Sequence, residues 1–117
     1  MRKIVLLALF LLCPALAVAG ESFLAEIEDV PLAPGLTEPP NSGMVFDSPS
    51  GRIVEASAAG EAAPDQIRAF YAQALPQLGW TVAGDQLYRR DNETLKIALD
   101  RRGKVLTVRF TLTPDKS

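Results

Sequence analysis

Acid–base and nucleophilic chemistry near neutral pH relies mostly on imidazole and thiolate groups, and this chain offers almost neither. It has no histidine, and its one cysteine, Cys13, lies in an apolar run near the N-terminus. Ser-His-Asp and Cys-His catalysis, Cys/His zinc sites and His-ligated haem are therefore excluded. Carboxylates, hydroxyls and guanidinium groups remain. A glycosidase needs two carboxyl groups ~5–10 Å apart in a cleft. Asp91 and Glu93 are two residues apart around a turn and Asp47 precedes another, so Asp47 and Asp91 read as turn residues that bond nearby backbone amides. No Asp-x-Asp-x-Asp loop with a distal Glu is present for calcium. Ser48, Ser50 and Ser57 would need a lysine base, and no spacing pairs them with Lys96 or Lys104. No catalytic residue, cofactor or metal ligand is assigned, and the expectation is a protein that is not an enzyme.

The positive candidate is a basic group made of Arg89, Arg90, Arg101, Arg102 and Lys104. In an antiparallel sheet, the end of one strand and a later turn can meet, and guanidinium groups bind carboxylate or phosphate in bidentate fashion. This group is the candidate patch for an anionic partner in the cell envelope. The alternative is ordinary solvated charge, which also discourages edge-to-edge aggregation. Tyr71, Trp80 and Tyr88 are the aromatic candidates. A ligand platform is one reading of them. The other places Tyr71 and Trp80 in the core, with the indole N–H on a carbonyl and Tyr88 toward the sheet edge.

The elements that position these residues begin with an export signal of the Sec type. Arg2 and Lys3 give a positive start, Ile4 to Leu16 form the apolar run, and Ala17-Val18-Ala19 is a small-x-small cleavage site. The run is too short for the ~20 residues that span a bilayer, and Pro14 interrupts it. Leu12 stands where a lipid-attachment box before Cys13 would have a small residue. Cleavage after Ala19 is expected, leaving no stable membrane span and a periplasmic or secreted address. The mature chain then lacks cysteine, so its fold rests on an apolar core. Loss of Arg2 and Lys3 takes the formal charge from −2 to −4. Residues 20–65 hold nine acidic groups and one basic, Arg52, while residues 66–117 hold nine basic and five acidic. Export and the acidic balance argue against nucleic acid.

Three segments follow: the signal (1–19), a Pro-rich acidic leader (20–43) and one α+β domain (44–117). Pro31, Pro34, Pro39 and Pro40 deny ladder donors, so the leader is expected outside the main fold. Phe23, Leu24, Ile27 and Val30 carry a short helical spacing, and an amphipathic leader docking on the basic sheet edge is the sharper expectation. In the domain, Val45-Phe46 and Arg52 to Ala58 read as strands around a Ser48-Pro49-Ser50-Gly51 turn. Pro64 opens the best helix, whose apolar stripe is Ile67, Phe70, Tyr71, Ala74, Leu75 and Leu78. Pro76 should tighten its last turn, with Gly79 as a left-handed cap. Beyond Trp80 the period becomes two: Leu95, Ile97 and Leu99, then Leu106, Val108, Phe110 and Leu112. The fold expected is an α+β two-layer sandwich, one amphipathic helix on an antiparallel meander of about four to five strands.

Asp29-Val30-Pro31-Leu32-Ala33-Pro34-Gly35-Leu36, Phe46-Asp47-Ser48-Pro49-Ser50-Gly51-Arg52-Ile53 and Phe70-Tyr71 through Leu75-Pro76-Gln77-Leu78-Gly79-Trp80 together resemble a group of small exported proteins of Gram-negative bacteria, chiefly alphaproteobacteria. The resemblance covers nearly the whole mature chain. It implies a periplasmic location and a shared fold, and brings no chemistry with it. The leading expectation is a non-enzymatic periplasmic binding or accessory domain with a protein partner in the envelope. The alternative is a small-ligand or lipid carrier that uses a groove between helix and sheet.

Overall fold

A computed structural model describes residues 22–115; the expected export signal and its expected cleavage site lie outside the described residues. The elements are β1 (Met44–Ser48), β2 (Gly51–Gly60), α1 (Pro64–Gln77), β3 (Thr81–Gly84), β4 (Leu87–Arg90), β5 (Glu93–Arg102) and β6 (Val105–Pro114). The class is α+β, dominated by strands: six antiparallel strands rather than four to five, in the order β1-β2-β6-β5-β4-β3. β3 to β6 form the expected meander, but β2 pairs with β6, seven register pairs long. The sheet's edges are β1 and β3, of five and four residues.

Side-chain alternation assigns the two faces. Val54, Ala56 and Ala58 of β2, Leu106, Val108, Phe110 and Leu112 of β6, Leu95 and Ile97 of β5 and Tyr88 of β4 are all buried on one face. α1 covers part of that face through Ile67, Tyr71 and Leu75, with the Tyr71 and Phe110 rings edge to face at 5.5 Å. Its end follows the sequence. The Gly79 N–H reaches the Pro76 carbonyl and the Trp80 N–H the Leu75 carbonyl, with Gly79 at φ +95, a Schellman stop.

The rest of the cover comes from the leader, and here the expectation of a segment outside the fold is corrected. Leu24, Ile27, Val30, Ala33 and Leu36 belong to the same buried core as α1 and the sheet. Among the described residues, no helix forms between Ser22 and Val30. Phe23 bridges to Pro31 instead, Leu24 N–H bonds Val30 O, and the buried positions recur at every third residue. Proline does not prevent this packing. It has no N–H to leave unsatisfied, so a proline-rich extended segment can lie on apolar surface without a ladder of its own. Two further contacts hold the segment: Thr37 exchanges both backbone hydrogen bonds with Ala59, and a Cβ on Gly60 would stand 1.9 Å from the Gly35 carbonyl oxygen. Glycine at 60 is what lets the leader approach the end of β2.

Candidate interaction surface

The topology separates the predicted basic patch into two groups. Arg89 pairs with Thr94 and Arg90 with Glu93 at one end of β5, whereas Arg101 pairs with Leu106 and Arg102 with Val105 at the other. Thr94 and Arg101 are seven residue steps apart along extended strand, roughly 23 Å at ~3.3 Å per residue. The expected meeting of these side chains at one site does not occur. A hairpin reverses the chain only locally, and ten-residue strands hold its two ends apart.

Three of the five are also engaged with carboxylates. Arg89 pairs with Asp115, whose other oxygen accepts from Thr94 Oγ1 at 2.9 Å. The hydrogen bonds from Arg89 and then Thr94 hold the Asp115 carboxyl below its ordinary value. A depressed folded value stabilises the fold above the ordinary aspartate range, near ~3.9, and that contribution is lost as pH falls through the folded value. Asp115→Asn should therefore flatten the acid limb: its melting temperature is expected to drop less than that of the parent chain between about pH 6 and about pH 3. Parallel acid limbs for the two proteins would contradict it.

Arg90 is a structural tie. Its guanidinium donates to Asp29 Oδ2 at 2.6 Å and to the Leu78 carbonyl at 3.2 Å, and it lies 4.5 Å above the Trp80 ring. One side chain thus joins the leader, the C-terminal end of α1 and the sheet, and it favours the negative end of the helix dipole. The acidic leader and the basic sheet do meet within one molecule, with Ile27 buried and Phe23 left exposed. Arg102 contacts Asp100 at 3.3 Å, and Arg101 Nε donates to the Gly103 carbonyl at 3.2 Å, so both belong to the exposed β5–β6 turn with Lys104.

The aromatic candidates are core. Tyr71 and Trp80 are buried as expected for that reading, and Tyr88 is buried too rather than placed at an exposed edge, because it faces Leu95 on the covered side of the sheet. The Trp80 indole N–H has no acceptor among the described residues, contrary to the expected carbonyl partner. Trp80 forms part of the wall of an open cleft of about 320 Å³, where Glu26, Glu28, Asp29 and Glu93 face Arg52 and Arg90. Ser48 accepts from the Ser50 N–H and donates to the Gly51 carbonyl, a turn role, and Asp91 sits in a turn at φ +54.

The surface that sequence reasoning missed is β1. Met44, Val45 and Phe46 are 48%, 42% and 44% exposed, on an edge strand whose outer side has no strand partner among the described residues. Met44 and Phe46 share the uncovered face with Ile53, while Val45 shares the covered side with Val54. A signal was available. Three consecutive apolar residues break the in–out alternation of a half-buried strand, and only burial on both sides or a contact surface removes both faces from water. No described helix is long and apolar enough to cross a membrane. Compared with known proteins, the chain matches no family model, no curated protein and no solved structure.

Proposed function

We propose that this chain is a non-enzymatic binding or accessory domain of the bacterial periplasm, and that its working surface is the open edge of β1. One observation carries the reading: three adjacent apolar side chains are exposed on a strand edge that has no strand partner among the described residues. Such an edge offers backbone donors and acceptors to an incoming strand, and its side chains supply the apolar contact. Proteins that keep such an edge free usually blunt it with lysine, proline or a bulge, and Met44–Ser48 has none of these. The signal-like N-terminus and the resemblance to exported alphaproteobacterial proteins support the address. The carrier alternative needs a chamber beneath α1, where Leu24, Val30, Tyr71 and Phe110 are each fully buried in one cluster. The basic residues then serve the fold and its turns, with Lys104 as the exposed control position.

In-cell photocrosslinking tests this. A photoreactive residue at Phe46 is expected to give adducts, and the same residue at Lys104 background only. Equal background at both positions would remove the β1 reading.

A further inference from the structure

We infer that β1 is a self-pairing edge: two copies of the chain join β1 to β1 antiparallel about a two-fold axis, so that two six-stranded sheets become one. This rests on the reading of β1 as the working surface and names its occupant.

The register argument comes from the face assignments. An axis perpendicular to the sheet matches covered face to covered face, so only residues of the same face can oppose one another across the seam. Placing Val45 on the axis sets Val45 against Val45 of the second copy, and Met44 against Phe46 in both directions. Asp47 then falls opposite Gly43, whose side-chain space is filled by Glu26 of the same copy. On the uncovered face Phe46 already stands opposite Ile53 within one chain, so the row Ile53, Phe46, Met44 continues across the seam and is repeated by symmetry. Six apolar side chains from two molecules form one cluster there. On the covered face Val45 meets its own copy, and the Val54 beside it in each chain extends the row to four valines. Sliding by two residues, with Phe46 on the axis, would set Val45 against Asp47 and Met44 against Ser48, so the apolar match singles out the first register.

The rest of the molecule favours this partner over an open-ended one. Residues 43–46 carry no charge, so the three central pairs of the seam oppose no like charges, and the Asp47 and Glu26 carboxylates of the two acidic copies approach one another only at its ends. The other edge, β3, is four residues long with a register break between Val82 and Gly84, features that blunt an edge. A β1-to-β3 contact would be head-to-tail and propagate, whereas β1-to-β1 closes on itself. The seam is short, about five residues from each copy, so association in the micromolar range is expected rather than nanomolar.

Cysteine linkage and sedimentation test the proposal on the full chain purified after export, in a Cys13→Ser background so that an introduced thiol is the only one. Val45→Cys places two thiols opposite each other on the axis, within disulfide reach. Phe46→Cys pairs with Met44 and leaves its own thiols diagonal, and Val82→Cys sits on the other edge. Under air with a copper catalyst, V45C is expected to convert mostly to covalent dimer, with F46C and V82C at background. The chain without an introduced cysteine should show a concentration-dependent dimer in sedimentation. Phe46→Glu, which would desolvate an unpaired carboxylate, should weaken it about tenfold or more with the circular dichroism spectrum unchanged. A monomer at hundreds of micromolar with no V45C linkage overturns the pairing, and linkage of F46C in place of V45C overturns the register. In-cell adducts at Phe46 with a different protein, alongside a monomeric purified chain, would sink self-pairing while leaving the binding reading standing. Background at Phe46 together with a monomer would sink both.

Discussion

A chain lacking residues 22–43 is expected to lose its cooperative thermal transition. Leu24, Ile27, Val30, Ala33 and Leu36 are each 6% exposed or less, and they lie over the same sheet face as Ile67, Tyr71 and Leu75 of α1. Full burial of a Val, Leu or Ile side chain stabilises by about 1.5–3 kcal/mol. Four such residues and one alanine therefore approach the ~5–15 kcal/mol that separates folded from unfolded in a small domain. Their removal also exposes their neighbours and leaves the Ala59 N–H and carbonyl without Thr37. Thermal circular dichroism, together with binding of a dye for exposed apolar surface, is the measurement. A single transition within a few degrees of the intact chain would show that the leader is not part of the cooperative unit.

Tyr71→Phe is expected to destabilise the fold by about 2–4 kcal/mol while keeping every carbon of the core in place. The Tyr71 hydroxyl donates to the Pro31 carbonyl at 2.7 Å and accepts from the Ala33 N–H at 3.2 Å, both in buried surroundings. Without it, two leader backbone groups remain buried and unpaired, each costing about 1–3 kcal/mol. For a domain of this size the melting temperature should fall by roughly 10–25 °C. Burial pushes the Tyr71 hydroxyl far above its ordinary value, more than its bond with Ala33 lowers it. The stability that depends on the neutral phenol is thus complete below the ordinary tyrosine value, near ~10, and is lost as pH rises above it. Tyr71→Phe should flatten this alkaline limb as well as lower the plateau. An unchanged plateau would mean that the leader backbone finds other partners.

Patterns that depend only on neighbours along the chain were legible. Pro64 starts α1, Gly79 stops it, and Ile67, Tyr71 and Leu75 face inward, because a 3.6-residue period and a left-handed cap are local requirements. The alternation of Leu95 and Ile97, and of Leu106 through Leu112, likewise marks the buried face of β5 and β6. The leader was harder to read. Its apolar residues recur at every third position, a spacing that suits a short helix as well as an extended segment, and its prolines suggested exclusion from the core. The candidate patch failed for a different reason. Which of Arg89, Arg90, Arg101, Arg102 and Lys104 meet depends on strand length and pairing, and five like charges close in sequence become two groups once β5 runs for ten residues between them.

By itself, the order of residues determined the absence of imidazole from the chain, the course of its helix and the inward face of its longest strands. Each follows from side-chain identity or from geometry within a few residues. Only the tertiary structure decided that Val30 and Leu36 lie beneath the same roof as Tyr71, that Arg90 ties Asp29 to the end of α1, and that Met44, Val45 and Phe46 are left at an open edge. Those outcomes depend on which distant segments compete to cover one apolar face, and that competition is settled by packing in three dimensions.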